Sequence, residues 1–309
     1  MELLHGLDAL PLDRDRSVVT VGFFDGVHLG HRAVLARTVE RARERGVRAV
    51  AVTFDRHPRE VLTPGSEPRL LTTVDRKAAL IEETGIDVLL VLAFTLDFSR
   101  WPAHRFITDV LVDGLHAEHC VMGANFTFGH RAAGSVDQLI EVGPSHGFTA
   151  ERVGLVDLDG RRVSSSSVRE ALAEGDLGWP KTALGRRFVL DGTVVRGAGR
   201  GHDLGFPTAN LQTWPRLLLP GHGIYAGRVD VSGTVHVAAI SVGTNPTFGT
   251  EPLHVESHLL DFDGDLLGRA MAVEFWAYLR DEARFETPQA LVEAMTDDVR
   301  RTRDLVRDD

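Results

Sequence analysis

A chain of 309 residues with a formal net charge of −10 and 43% hydrophobic residues is long enough to bury two cores of ordinary size. The acidic balance excludes bulk nucleic-acid binding, which needs dense Lys and Arg, so any anionic ligand has to be held locally. A single cysteine, Cys120, excludes an intrachain disulfide and fits a reducing compartment. With no cationic apolar leader, and with the most apolar run, IDVLLVLAFTL, too short to span a bilayer, a cytoplasmic protein without a membrane partner is expected.

The chain opens with a strand pattern, SVVTVGF, followed by the helix HRAVLARTVERARERG, which a glycine closes, and a second strand, VRAVAVTF. DRKAALIEETG with IDVLLVLAF repeats the unit, and residues 103–115 with HCVMGANF repeat it again. Runs apolar on both faces, alternating with helices, predict an α/β domain built on a doubly wound parallel sheet, whose ligands sit beyond the carboxyl ends of the strands. From about residue 185 short alternating stretches take over: RRFVLDGTVVRG, GIYAGRVDVSG, TVHVAAISVG, LHVESHLLDFDG and RAMAVEFWAYLR. They predict a small antiparallel β-barrel, and Thr287 with Pro288 opens a terminal helix running to Leu305. The domains are therefore expected at 1–184 and 185–309, with the linker near GDLGWPKTALG.

Lys77 and Lys181 are the only lysines, and neither follows a GxxxxG run, so a Walker A loop is absent. Another device stands at the first strand end, GFFDGVHLGH. Gly22 ends the strand, Asp25 and Gly26 make a turn, and His28 and His31 are three apart at a helix entrance. A helix N-terminus offers unpaired N–H groups and a partial positive charge, worth roughly 0.3–1 kcal/mol to an anion. Two imidazoles beside it make a phosphate site without lysine. The plainer reading is a glycine turn with two surface histidines; a zinc site lacks the neighbouring glutamate and a third ligand. TFDRHP, VMGANFTFGHRAAG and RRVSSSSVREAL are further polar, glycine- or serine-rich stretches at strand ends or helix starts, although a serine run alone can be only a helix cap.

These stretches resemble the motifs of the HxGH nucleotidyltransferases, in the form carried by the FMN adenylyltransferase module of bacterial bifunctional riboflavin kinase/FAD synthetases. The resemblance implies that FMN phosphate attacks the α-phosphorus of ATP, releasing pyrophosphate and forming FAD. It further implies that His28 and His31 are catalytic, that Gly22, Phe23, Asp25 and Gly26 contact ATP, and that Ser164, Ser165 and Arg169 hold the leaving pyrophosphate. Asn125, Phe128 and Phe106 are expected on the flavin side, where an aromatic face can stack. Ser166 stands where the family often has threonine, and Asn125 where many members have aspartate.

In the β-rich half, VVRGAGRGHDLGFPTANL has the wrong spacing for a dinucleotide fingerprint and no helix after it. Its glycines, Gly199 and Gly201, are read as a flap whose amides approach phosphates, and Thr208 and Asn210 as hard oxygen donors suited to Mg²⁺. GFPTAN, SVGTNPTFG, VESHLLDFDGDL and LRDEARF are similar to the riboflavin kinase module. That similarity implies Glu256 as the catalytic base, Thr208 and Asn210 as binders of metal and ATP, and Arg280 on the flavin side. A base is chemically required, because riboflavin offers an alcohol, a poor nucleophile. His202 and Leu267 replace a frequent arginine and a frequent tyrosine.

The expected ligands are riboflavin, FMN and ATP with Mg²⁺; self-association is left open. HAEHC, residues 116–120, reads as a surface helix end rather than a zinc site, and no GxSxG elbow or CxxC pair points to hydrolase or thiol-redox chemistry. Two other functions compete: a flavin or nucleotide sensor without turnover, and a nucleotidyltransferase with another phosphorylated acceptor and a β domain that only binds.

Overall fold

The computed structural model describes residues 1–10, 15–197, 201, 204–244 and 253–306. The chain divides into two compact units, one of residues 1–69 and 74–165, the other of residues 70–73 and 166–309.

The first unit is a six-stranded sheet, β1 (Glu2–His5), β2 (Ser17–Val21), β3 (Arg48–Phe54), β4 (Val88–Leu92), β5 (Ala117–Gly123) and β6 (Thr149–Val153). Its order is β1-β4-β3-β2-β5-β6, and every pairing is parallel. Alternate residues of the central strands enter different cores: Val18, Ala49 and Leu89 pack on one face, Val19, Val50 and Leu90 on the other. Both faces are thus buried, as the unbroken apolar runs predict, and the doubly wound expectation holds. β1 and β6, at the two edges, were not anticipated; TAERV and ELLH are too polar to read as buried strands.

Helix α1 (Leu29–Arg45) follows β2 and ends at Gly46, whose left-handed φ of 66° suits a residue without Cβ. α2 (Val74–Glu82) precedes β4, and α3 (Val136–Val142) is capped by Ser135, which accepts from the Gln138 amide. A helix forms in the expected segment, over residues 103–112 rather than 103–115, and Phe106–Val112 is π-wound: the Asp113 amide donates to the Thr108 carbonyl. Gly114 lets this widened turn close, since a Cβ there would meet the Asp109 and Val110 carbonyl oxygens at 2.7 Å.

HAEHC is not a surface helix end. Residues 117–120 lie inside β5, His119 is buried, and burial pushes the Cys120 thiol up to about 12, which leaves it inert. The polar letters misled: His119 is accommodated by Thr149 Oγ1 at 2.7 Å and Glu151 at 3.5 Å on the neighbouring strand.

The second unit is a closed six-stranded barrel of β7 (Val189–Val195), β8 (Ala209–Thr213), β9 (Gly223–Val231), β10 (Thr234–Gly243), β11 (His254–Leu259) and β12 (Ala270–Arg280). The order is β7-β8-β11-β10-β9-β12, closing antiparallel between β7 and β12. Tyr225, Ile240, Val255, Val273 and Phe275 are buried. α4 (Ser165–Ala173) is counted with this unit from Ser166 on, and so is α5 (Gly178–Leu184), the segment read as a linker: Pro180, Ala183 and Leu184 are buried. The terminal helix α6 (Pro288–Leu305) begins as expected, Thr287 accepting from the Ala290 amide.

Candidate active sites

In the first unit the sheet order reverses direction between β2 and β5, and the crevice at such a switch point is where open α/β sheets bind ligands. β2 feeds this crevice through Gly22, and a Cβ there would meet the Phe24 ring at 2.8 Å. The chain then turns through positive φ at Phe24 (53°), Gly26 (75°) and Val27 (39°), a strained path that buries Asp25 and brings His28 to the helix entrance. Several bonds hold the turn. The Phe23 carbonyl accepts from Thr53 Oγ1 and from Lys77 Nζ, both at 3.0 Å, and the Asp25 carbonyl accepts from Ser165 Oγ at 2.9 Å. Ser165 of the serine run therefore meets the glycine turn within this unit.

His28 is the N-cap of α1: its Nδ1 accepts from the His31 amide at 3.3 Å. That bond assigns the proton of the neutral ring to Nε2. The His31 ring stacks on it and also makes a T-shaped contact with Phe24, centroids 5.3 Å apart. Gly30 makes the stack possible, since a Cβ there would press on the His28 ring at 3.1 Å. The two histidines are not loose surface groups; His28 is 7% exposed. Two imidazoles at a helix N-terminus, beside polar backbone, form an arrangement able to donate hydrogen bonds to an oxyanion.

TFDRHP joins the same edge. Asp55 accepts from the Phe94 amide at 2.9 Å and from Arg56; burial raises its carboxyl, but these bonds outweigh it and hold the group below the usual range. His57 caps the short helix Pro58–Leu62 and meets Phe23 edge-on, centroids 4.9 Å apart. Asn125, just beyond β5, is exposed. Phe106 and Phe128 are both in the core, centroids 5.3 Å apart, whereas half-buried Phe126 stacks on Phe128 at 5.7 Å with planes 16° apart. Phe126 is a residue that the sequence reading missed, although its i,i+2 spacing from Phe128 was the available signal. Arg169 lies on α4, in the second unit.

In the barrel, β11 alternates cleanly. Val255, Ser257 and Leu259 are buried, while His254, Glu256 and His258 share the outer face. Glu256 stands opposite Asn210 of β8 and opposite Ser241 of β10, so the three form a row across three strands. Thr208 Oγ1 donates to Glu256 Oε2 at 2.9 Å, and His254 Nε2 lies 3.1 Å from Oε1. His254 is a second residue that the sequence reading missed, although its i,i+2 spacing from Glu256 was the available signal. His258 Nδ1 lies 2.8 Å from the Pro207 carbonyl, anchoring the PTAN segment.

Asn210 packs so closely on Gly197 that any Cβ there would overlap its amide, and a Cβ at Gly201 would overlap the Phe206 carbonyl. Gly197 thus lets the backbone after β7 approach Asn210. Gly199 and His202 lie outside the described residues. Among the described residues no group of three or more His, Cys, Asp or Glu could hold a metal. The hydroxyl and amide oxygens of Thr208 and Asn210 are nevertheless of the kind that fits Mg²⁺, which takes few protein ligands and fills its shell with phosphate and water. Arg280 donates from Nε and Nη2 to Asp298 of α6, at 3.0 and 2.7 Å. Leu267 is exposed.

The FAD synthetase family matches residues 11–167 and the riboflavin kinase family residues 184–306. The chain belongs to both. Bifunctional riboflavin kinase/FMN adenylyltransferases of this paired-family kind include the Pseudomonas fluorescens protein, 42% identical over 99% of this chain and 98% of its own length. Those of Bacillus subtilis (31%; 96% and 95% covered) and Escherichia coli K12 (34%; 91% and 90%) are also similar. A crystal structure described as a macrolide-efflux protein from Streptococcus pneumoniae has a TM-score of 0.87 at 26% identity, covering 99% of this chain and all of that one. Efflux describes that protein. Among the described residues here, no helix is long and apolar enough to cross a membrane.

Proposed function

We propose that this chain phosphorylates riboflavin to FMN in a module of residues 185–309 and adenylylates FMN to FAD in a module of residues 1–184, in the cytoplasm. The observation that carries the proposal is Glu256. It stands on the barrel's outer face, with a threonine hydroxyl on one oxygen and a histidine on the other, opposite Asn210.

In the kinase step, Glu256 accepts the proton of the riboflavin hydroxyl as its oxygen bonds to the γ-phosphorus of ATP. The bond from that phosphorus to the bridging oxygen breaks, and ADP leaves. Thr208 and Asn210 would hold Mg²⁺, whose charge neutralises ATP phosphates when bound. Gly199 and Gly201 would admit those phosphates by backbone approach, and Arg280 would border the flavin.

In the adenylyl step, FMN phosphate is already ionised and needs no base. Its oxygen bonds to the α-phosphorus while the α–β bridge breaks and pyrophosphate leaves. Catalysis is then alignment and charge stabilisation. His28 and His31 donate to the developing charge. Gly22, Phe23, Asp25 and Gly26 shape the ATP cleft, and Ser164, Ser165 and Arg169 would bind pyrophosphate. Asn125, Phe128 and Phe106 would define the flavin side.

Chromatography of products from riboflavin and MgATP tests the activity: FMN and then FAD should accumulate, and unchanged riboflavin would instead favour a sensor. Glu256→Gln should stop FMN formation yet still convert supplied FMN to FAD, and His28→Ala should do the reverse. Loss of both activities in either folded variant would refute the division of labour.

A further inference from the structure

Lys77 is one of two lysines in the chain and is 3% exposed. Burying an ammonium is costly unless it is fully engaged, and lysine is rarely buried at all. This one is engaged on every side. It reaches from α2 to the carboxyl ends of β2 and β3, donating to the Phe23 carbonyl (3.0 Å), Thr53 Oγ1 (3.0 Å) and the Phe54 carbonyl (3.4 Å). Its ammonium also lies over the Phe23 ring, 4.5 Å from the centroid. Burial pulls its pKa down to about 8, and the charges of Asp25 and Asp55 oppose that fall.

Every one of these partners belongs to the ligand edge of the sheet, and all of them lie in two stretches quoted above for their chemistry, GFFDGVHLGH and TFDRHP. Phe23 is the last residue before the positive-φ turn at Phe24, Gly26 and Val27. Its carbonyl fixes the peptide plane that sets the direction of that turn, and hence where His28 and His31 come to lie. We propose that Lys77 is a positioning residue for adenylyl transfer: acting through the Phe23 carbonyl and Thr53, it holds the turn that carries Asp25 and His28 in register with the end of β3. Lys77 touches no substrate. Its effect falls on the transition state, because a displaced turn misaims the two imidazoles at the charge that develops during transfer more than it weakens ground-state binding.

The inference rests on the adenylyl-transfer reading, and the experiment separates the two. The full chain is supplied with FMN and MgATP, and FAD formation is followed for wild type, Lys77→Met and Thr53→Val, with folding checked by circular dichroism. Failure of wild type to form FAD would remove the reading itself. With wild type active, Lys77→Met should lower kcat at least tenfold with KM for FMN and for ATP within threefold, and riboflavin phosphorylation should stay within twofold. Thr53→Val, which keeps the side-chain volume and removes one donor to the Phe23 carbonyl, should lower kcat at least threefold with the same KM pattern. If Lys77→Met does not fold, Thr53→Val decides by that criterion alone. Smaller losses of kcat, or losses carried by KM, would overturn the proposal.

Discussion

His28 and His31 stack face to face, with ring centroids 3.6 Å apart and planes inclined by 17°. The stack has one vulnerable neighbour, Gly30, whose hydrogen occupies the space that a methyl group would take from the His28 ring. Its backbone lies in α1, where alanine is favoured over glycine by up to about 1 kcal/mol. Gly30→Ala should therefore leave thermal stability unchanged or slightly higher while lowering kcat for FAD formation by about 10-fold, the cost of misaiming a donor by a few tenths of an ångström. Steady-state kinetics beside a melting curve checks both halves.

The Thr208–Glu256–His254 chain gives a second expectation. Removing the hydroxyl leaves Glu256 Oε2 without its 2.9 Å donor, a loss on the order of 1–3 kcal/mol at a partly buried carboxylate. Thr208→Val should cut FMN formation by about 10- to 100-fold, and Thr208→Ser should recover most of it. His254→Ala should fall between these variants. FAD formation from supplied FMN is the internal control and should not move in any of them.

Arg280 and Asp298 supply a third. Their two-pronged pair ties β12 to α6, and Asp298 is 4% exposed. Breaking a buried pair by removing one partner costs about 3–5 kcal/mol. Asp298→Ala should accordingly lower the midpoint of barrel unfolding by several degrees. If Arg280 also borders the flavin, KM for riboflavin should rise in this variant even at temperatures where it stays folded.

Acid stability should depend on Glu151. Hydrogen bonds from Arg41 bring its carboxyl down; burial works against them, and Arg37 adds to the fall, leaving it at about 2 rather than the ordinary 4.5. A carboxyl depressed in the folded state contributes stability above its unfolded pKa, and that contribution is lost as the pH falls from about 4.5 towards 2. The carboxylate and its two arginines are largely solvent-screened, so the contribution is small. Urea midpoints measured from pH 6 to pH 2.5 should fall less steeply in Glu151→Gln than in wild type, and high salt should narrow the difference.

Much of this molecule can be read from its letters, and the failures have physical causes. The central strands declared themselves because Val, Ala and Leu fill both faces of β2, β3 and β4, and the barrel strands because polar and apolar residues alternate. β8 was hidden: Pro207 and the polar Thr208 and Asn210 make GFPTANL read as a turn, yet Ala209 and Leu211 are its buried face. HAEHC misread as surface because a buried histidine can be satisfied by the neighbouring strand, which no local pattern reports. His28, His31, Thr208 and Glu256 can be proposed as chemistry from residue type and motif alone. The groups that hold them were not, because Lys77 and His254 take their meaning from contacts rather than from residue type.

The alternation of β11 carries a consequence for how this sequence can vary. One strand directs Val255 and Ser257 into the barrel and Glu256 outward beside Thr208, so core packing and the proposed proton transfer are read from the same two-residue phase. A one-residue insertion or deletion inside β11 reverses every side chain beyond it. Such a length change inside the strand would turn the carboxylate inward and valine outward together. A point substitution changes one side chain on one face; a shift of frame changes both faces at once.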